Sequence, residues 1–108
     1  MKKSAYLGVV FLCAVGLSCA VPKARTFTGE ISDSMCGLKH MMPGGAKACT
    51  DECVKAGAKY ILADAAHNKV YQLSDQDKPK EFSGEKVKVT GMLNGDTIEV
   101  TSVEADKR

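Results

Sequence analysis

The chain has 108 residues, 44% of them hydrophobic and 26% charged, with a formal charge of +2, enough for one small domain. Two of its positive charges, Lys2 and Lys3, stand in a leader-like opening; without them thirteen basic residues face thirteen acidic ones. A neutral domain lacks the basic face that phosphate backbones require, so nucleic acid is not an expected partner.

The opening segment orders its chemistry as an export signal does. Lys2 and Lys3 are followed by an apolar run from Tyr6 to Leu17 and then by small residues at Ser18 and Ala20. This predicts a signal peptide over residues 1–20 and a mature chain starting at Val21. The apolar run is shorter than the ~20 residues a membrane span needs. The expected setting is therefore periplasmic or extracellular, with no transmembrane segment in the mature form. Cys19 is the alternative anchor: a lipid there would tether the protein, although Leu17 stands one place late for a lipobox.

Residues 21–25 read as a flexible lead. Thr26 to Ser32 alternates, with Phe27, Gly29 and Ile31 on one face, and predicts the first strand; Gly29 in its middle predicts a bulge or tight bend. Residues 33–57 form an insertion that carries every cysteine expected to survive export. Pro43-Gly44-Gly45 is a turn. Thr50 is a candidate N-cap for a helix of about two turns over Asp51–Ala56, with Asp51 and Glu52 in its first turn and Gly57 as a left-handed end.

Four strands follow. Lys59–Asp64 and Val70–Ser74 form a hairpin around Ala66-His67-Asn68, and the polar run to Gly84 holds one helical turn at Pro79 with Phe82 as its apolar anchor. Glu85–Leu93 and Asp96–Glu104 form a second hairpin around Asn94-Gly95. Residues 105–108 read as a charged tail. A mainly β domain over residues 26–104 results: a small five-stranded OB-like barrel with a short helical Cys/His-bearing insertion between strands one and two. An open antiparallel sheet with one helix against it is the other arrangement these elements allow.

The chemistry gathers in the insertion. Cys36 and His40 are spaced C-x3-H, and Cys49 and Cys53 are spaced C-x3-C. Three thiolates and an imidazole suit tetrahedral Zn(II), and also suit Cu(I). Asp33 is either a hydrogen-bond partner that orients His40 or a loop-capping aspartate. Met35, Met41 and Met42 are apolar packing or soft thioethers beside a copper site.

An oxidising compartment equally suits a disulfide from Cys36 to Cys49 or Cys53, closing a loop worth ~3 kcal/mol. The three cysteines of the mature chain would then leave one thiol for self-association or, as Cys36 or Cys53, for reaction. No Ser-His-Asp set, phosphate loop or haem-attachment motif accompanies them, so an enzyme is not the expectation. His67 reads as a solvated turn residue, and Lys86 and Lys88 as the wet side of a strand. Few aromatics leave no stacking platform for oligonucleotides on the barrel.

The blocks TFTGEISDSMCGLKH, CTDECVKAGAKYIL, VYQLSDQ and VKVTGMLNGDTIEVTSV together resemble a family of small exported bacterial proteins of unknown function, treated as OB-like and named only as an uncharacterised domain. The specific part is D-x-x-C-x3-H followed by C-x3-C, here Asp33, Cys36, His40, Cys49 and Cys53. The resemblance implies the fold and carries no activity.

Overall fold

The computed structural model describes residues 23–39 and 44–107. The expectations placed on residues 1–22, on His40 and on Met41 and Met42 lie outside these. The described elements are β1 (Arg25–Asp33), α1 (Gly45–Lys55), β2 (Tyr60–Asp64), β3 (Lys69–Leu73), β4 (Lys86–Asn94) and β5 (Thr97–Ala105). Short 3-10 turns at Ala65–His67 and Lys78–Phe82 connect them. No helix among the described residues is long and apolar enough to cross a membrane.

The strands close in the order β1-β2-β3-β5-β4, a mainly β ring consistent with the OB-like expectation and not with an open sheet. Every neighbouring pair is antiparallel except β3 and β5, whose parallel pairing of Gln72 with Thr97 and Leu73 with Ile98 shuts the ring. β1 makes closure possible by serving two neighbours: its first part pairs with β4 and its last part with β2, the two registers meeting at Glu30. Gly29 sits at this crossover, where a Cβ would stand 2.5 Å from the Ala63 carbonyl oxygen. Only hydrogen fits there, which is the tight bend that its mid-strand position predicts.

Inward residues of all five strands fill the ring: Phe27, Ile31, Leu62, Tyr71, Val87, Val89 and Ile98 are among the buried core. Period-2 alternation is what places them there. The alternation fails once. A register shift beside Gly91 pairs Gly91 with Val100 but Thr90 with Ser102, leaving Thr101 as the extra residue. Beyond it the inward phase of β5 moves by one, so Val103 packs on the core and Ser102 faces out. Unbroken alternation along Thr97–Ala105 would have put Ser102 on the same face as Ile98 and Val100; a bulge inverts the faces of everything after it.

α1 is the other correction. It begins at Gly45, not Asp51, so Thr50 is an interior residue rather than a cap, and Cys49 lies within the helix. Gly44 and Gly45 take φ of 104° and 92°, a left-handed approach that launches the helix directly from the glycine turn. The end is as expected: Gly57 has φ of 113°, its N–H donates to Val54 O, and the Ala58 N–H donates to Cys53 O. That pair of bonds is a Schellman closure.

Candidate metal centre

Asp33, the last residue of β1, is fully buried. Its Oδ1 accepts from the backbone N–H groups of Met35 (3.0 Å) and Cys36 (2.9 Å). A short aspartate reaching two and three residues ahead is a standard way to set a turn. Gly37, with φ of 61°, donates its N–H to the Asp33 carbonyl, and the Ser32 hydroxyl donates to Gly37 O at 2.8 Å. The Ser34 backbone and hydroxyl are tied to Lys59 at the start of β2. Residues 33–37 are thus a turn fastened at both edges, and it fixes where Cys36 sits.

α1 supplies the other two sulfurs. Cys49 and Cys53 are four residues apart, one turn of helix, and therefore share a face; Cys49 is 0% and Cys53 6% exposed. The face is pressed onto the end of the ring by two further contacts. The Ser83 hydroxyl donates to Asp51 Oδ1 at 2.6 Å, and with Lys47 beside the same carboxyl holds it below the usual carboxylate range. Gly84, at φ of 76°, lies against the backbone of Ala46 and Lys47 with no room for a Cβ.

The turn and the helix bring three thiols and a carboxylate together. Cys36 Sγ lies 3.4 Å from Cys49 Sγ and 3.9 Å from Cys53 Sγ. With an Asp33 carboxylate oxygen, all the donor atoms fall within 4.8 Å of one another. A disulfide needs a sulfur–sulfur distance of about 2.05 Å, so the expected Cys36–Cys49 or Cys36–Cys53 bridge is not formed; the described cysteines carry no disulfide. A tetrahedral zinc–thiolate site with bonds near 2.3 Å has sulfur–sulfur edges of about 3.8 Å. The two observed separations bracket that value.

Two features of the cluster go beyond the residue spacing. Asp33 Oδ2 is buried with no hydrogen-bond partner, as is the Thr50 hydroxyl oxygen. Of the two readings of Asp33, its Oδ1 bonds match the loop-capping aspartate, while His40 lies outside the described residues; in addition the carboxylate stands among the sulfurs and offers its own oxygen. The signal available in the sequence was the D-x-x-C spacing: a carboxylate capping the N–H of the third residue on must share a turn with that residue's side chain. Cys53 is the second feature. Burial, then the neighbouring Cys36 and Asp33, pushes its thiol up to about 12, so at neutral pH it is protonated. That is the reverse of the lowered pKa an activated nucleophile requires.

His67 lies in the turn after β2, exposed, with Nδ1 2.8 Å from Asp64 Oδ2. The same carboxyl accepts the His67 N–H at 3.2 Å, a local cap matching a solvated turn residue. Met35 is 62% exposed and fills no gap in the core.

Residues 54–106 match the model of a family described as protein of unknown function (DUF5818). This supports membership of an uncharacterised domain family for the barrel from the end of α1 onward. The match begins one residue after Cys53, so Asp33, Cys36, Cys49 and Cys53 all precede it. No curated protein matches the chain, and neither does any solved structure.

Proposed function

We propose that this chain is a small metal-binding domain that holds one thiophilic cation, Zn(II) before Cu(I), on Cys36, Cys49, Cys53 and Asp33. The buried, unpartnered Asp33 Oδ2 beside three sulfurs carries the reading. A carboxylate oxygen left without a donor in a protein interior costs about 1–3 kcal/mol. A cation at the cluster would remove that cost and draw the thiols into thiolates. A ligand set of three sulfurs and one oxygen closes four positions, as structural zinc sites do, and leaves none for a reacting water. The role this favours is binding or stapling rather than hydrolysis.

Cu(I) is the second reading. It takes three thiolates and leaves the carboxylate aside, and the exposed Met35 next to Cys36 offers a soft thioether. The ordering of residues 1–20 supports an exported setting and the OB-like family resemblance supports a small barrel scaffold. Imidazole from His40 is an alternative to the Asp33 oxygen as fourth donor.

The test is metal analysis of protein recovered from the periplasm, with thiols titrated in denaturant before and after chelation. One ion per chain and three thiols after chelation support the site. A single thiol under both conditions, with no ion, would replace it with the disulfide-stapled module. Cys36→Ser, Cys49→Ser and Cys53→Ser should each abolish tight binding. Comparing Asp33→Ala with His40→Ala then identifies the fourth donor.

A further inference from the structure

A groove of about 990 Å³ runs along the β1–β2–β3 side of the ring. Residues 25–30 of β1 form one side. The end of β2 with its turn and the start of β3 form the other. Leu38, from the segment that follows Cys36, closes part of the rim. Nothing in the metal reading uses this groove.

Its floor is aromatic. Phe27 and Tyr71 face each other across β1 and β3 with ring centroids 5.2 Å apart and planes inclined at 60°. Both rings are nearly covered, at 6% and 8% exposure, yet two exposed cationic side chains lie over them. The Arg25 guanidinium lies 4.6 Å from the Phe27 centroid and the Lys69 ammonium 5.8 Å from that of Tyr71. Long, solvated side chains resting on ring faces are held weakly and can lift. Beneath them the groove-facing sides of two inclined rings reach the wall from the core.

The groove also has charge to offer. Lys86 joins Arg25 and Lys69 on its lining. Among the described residues no carboxylate forms an ion pair with any of the three. Of the two acids on the lining, Asp64 is occupied by His67 through both its side chain and its backbone, and Glu30 has an interaction of its own. Three cations against two carboxylates leave the lining with a small positive excess beside two aromatic rings, a surface complementary to one kind of ligand.

We propose that this groove binds a small organic anion with a flat apolar body. Its carboxylate, phosphate or sulfonate group is taken by Arg25 and Lys69, with Lys86 beside them. Drawing the two cations onto the headgroup clears the groove-facing side of Phe27 and Tyr71 for the apolar body, their other sides staying in the core, so the anion and the ring contacts are gained together.

The probe is 2-naphthalenesulfonate, with 2-naphthol as its neutral counterpart, titrated into the full mature chain and followed by amide NMR shifts. The expected result is a saturable change confined to groove amides such as Thr28, Ala63 and Tyr71. Arg25→Gln with Lys69→Gln should weaken binding at least about tenfold, and 2-naphthol should bind wild type at least about tenfold more weakly than the sulfonate. Equal binding of the two probes, shifts spread over the whole surface, or no saturable shift would overturn the proposal. The comparison of probes on wild type decides even if the double variant misfolds. Repeating it on wild type with and without Zn(II) should leave the sulfonate affinity unchanged, which separates this site from the metal centre.

Discussion

At the scale of single residues the cluster turns on Asp33. One of its oxygens is spent on two backbone N–H groups, and the other is buried without a backbone or strong side-chain donor, close to the cluster thiols alone. Asp33→Asn separates these roles, because an amide oxygen still caps the turn while the second oxygen becomes a donor. The variant should stay folded and keep three titratable thiols, yet lose roughly tenfold or more in Zn(II) affinity by competition with a chromophoric chelator. Unchanged affinity would return Asp33 to a turn-setting role alone. The cysteines are readable from their spacing, and D-x-x-C places Asp33 in the same turn as Cys36; that its second oxygen is buried among the sulfurs is not written in a motif.

A second residue-scale outcome concerns Asp75. The backbone N–H and ammonium of Lys78, then the Asp77 N–H, hold its carboxyl down to about 2. An unfolded aspartate titrates near 3.9. The folded state therefore prefers the ionised form, so this stabilisation is complete above about pH 4 and is lost as pH falls through about 2. Asp75→Asn should melt below wild type at pH 7, with the gap closing between about pH 4 and pH 2. A melting difference that persists unchanged at the acid end would show that shape, not charge, carries the effect.

At the scale of elements, each strand lies within one residue of where alternation puts it, because a buried ring imposes a strict period of two on its sequence. The helix was misplaced for a local reason. Thr50-Asp51-Glu52 has the chemistry of a helix start, yet the glycine pair at 44 and 45 turns the chain into a helix six residues earlier. Thr50 then becomes an interior residue beside the sulfurs. The register shift at Gly91 was hidden for another reason: it exists only in the pairing of β4 with β5.

The docking of α1 can be tested through two left-handed glycines in different surroundings. Gly84, at φ of 76°, would place a Cβ 2.5 Å from Lys47 Cα, whereas Gly95, at φ of 66°, has open space around it. Gly95→Ala should cost only the backbone penalty of about 1–2 kcal/mol. Gly84→Ala adds a collision with helix backbone that cannot yield, for a loss of about 3 kcal/mol or more. Denaturant unfolding of both variants measures the difference. Equal losses would mean that α1 can be displaced from the ring without consequence.

At the scale of the whole molecule the Asp33–Cys36–Cys49–Cys53 cluster, once it holds an ion as proposed, is a second fastening between the ring and its helix. One half is a turn anchored to β1 and β2, and the other rides on α1, which the ring otherwise holds through Ser83, Gly84 and the partly buried Val54. A ring of this size closes a modest core, and a helix in an insertion is the element such a core retains least firmly. An ion that binds only the assembled site adds about 2.7 kcal/mol when free metal exceeds its dissociation constant a hundredfold. In a domain of this length that corresponds to a melting temperature higher by roughly 10–20 °C. The gain should fall to nothing in Cys36→Ser, which keeps the helix but removes the sulfur that links it to β1. Hydrogen exchange adds the location: amides of Cys53, Val54 and Lys55 should slow on addition of Zn(II) to wild type and stay fast in the variant. A rise in melting temperature without slowing in α1 would place the ion elsewhere on the ring.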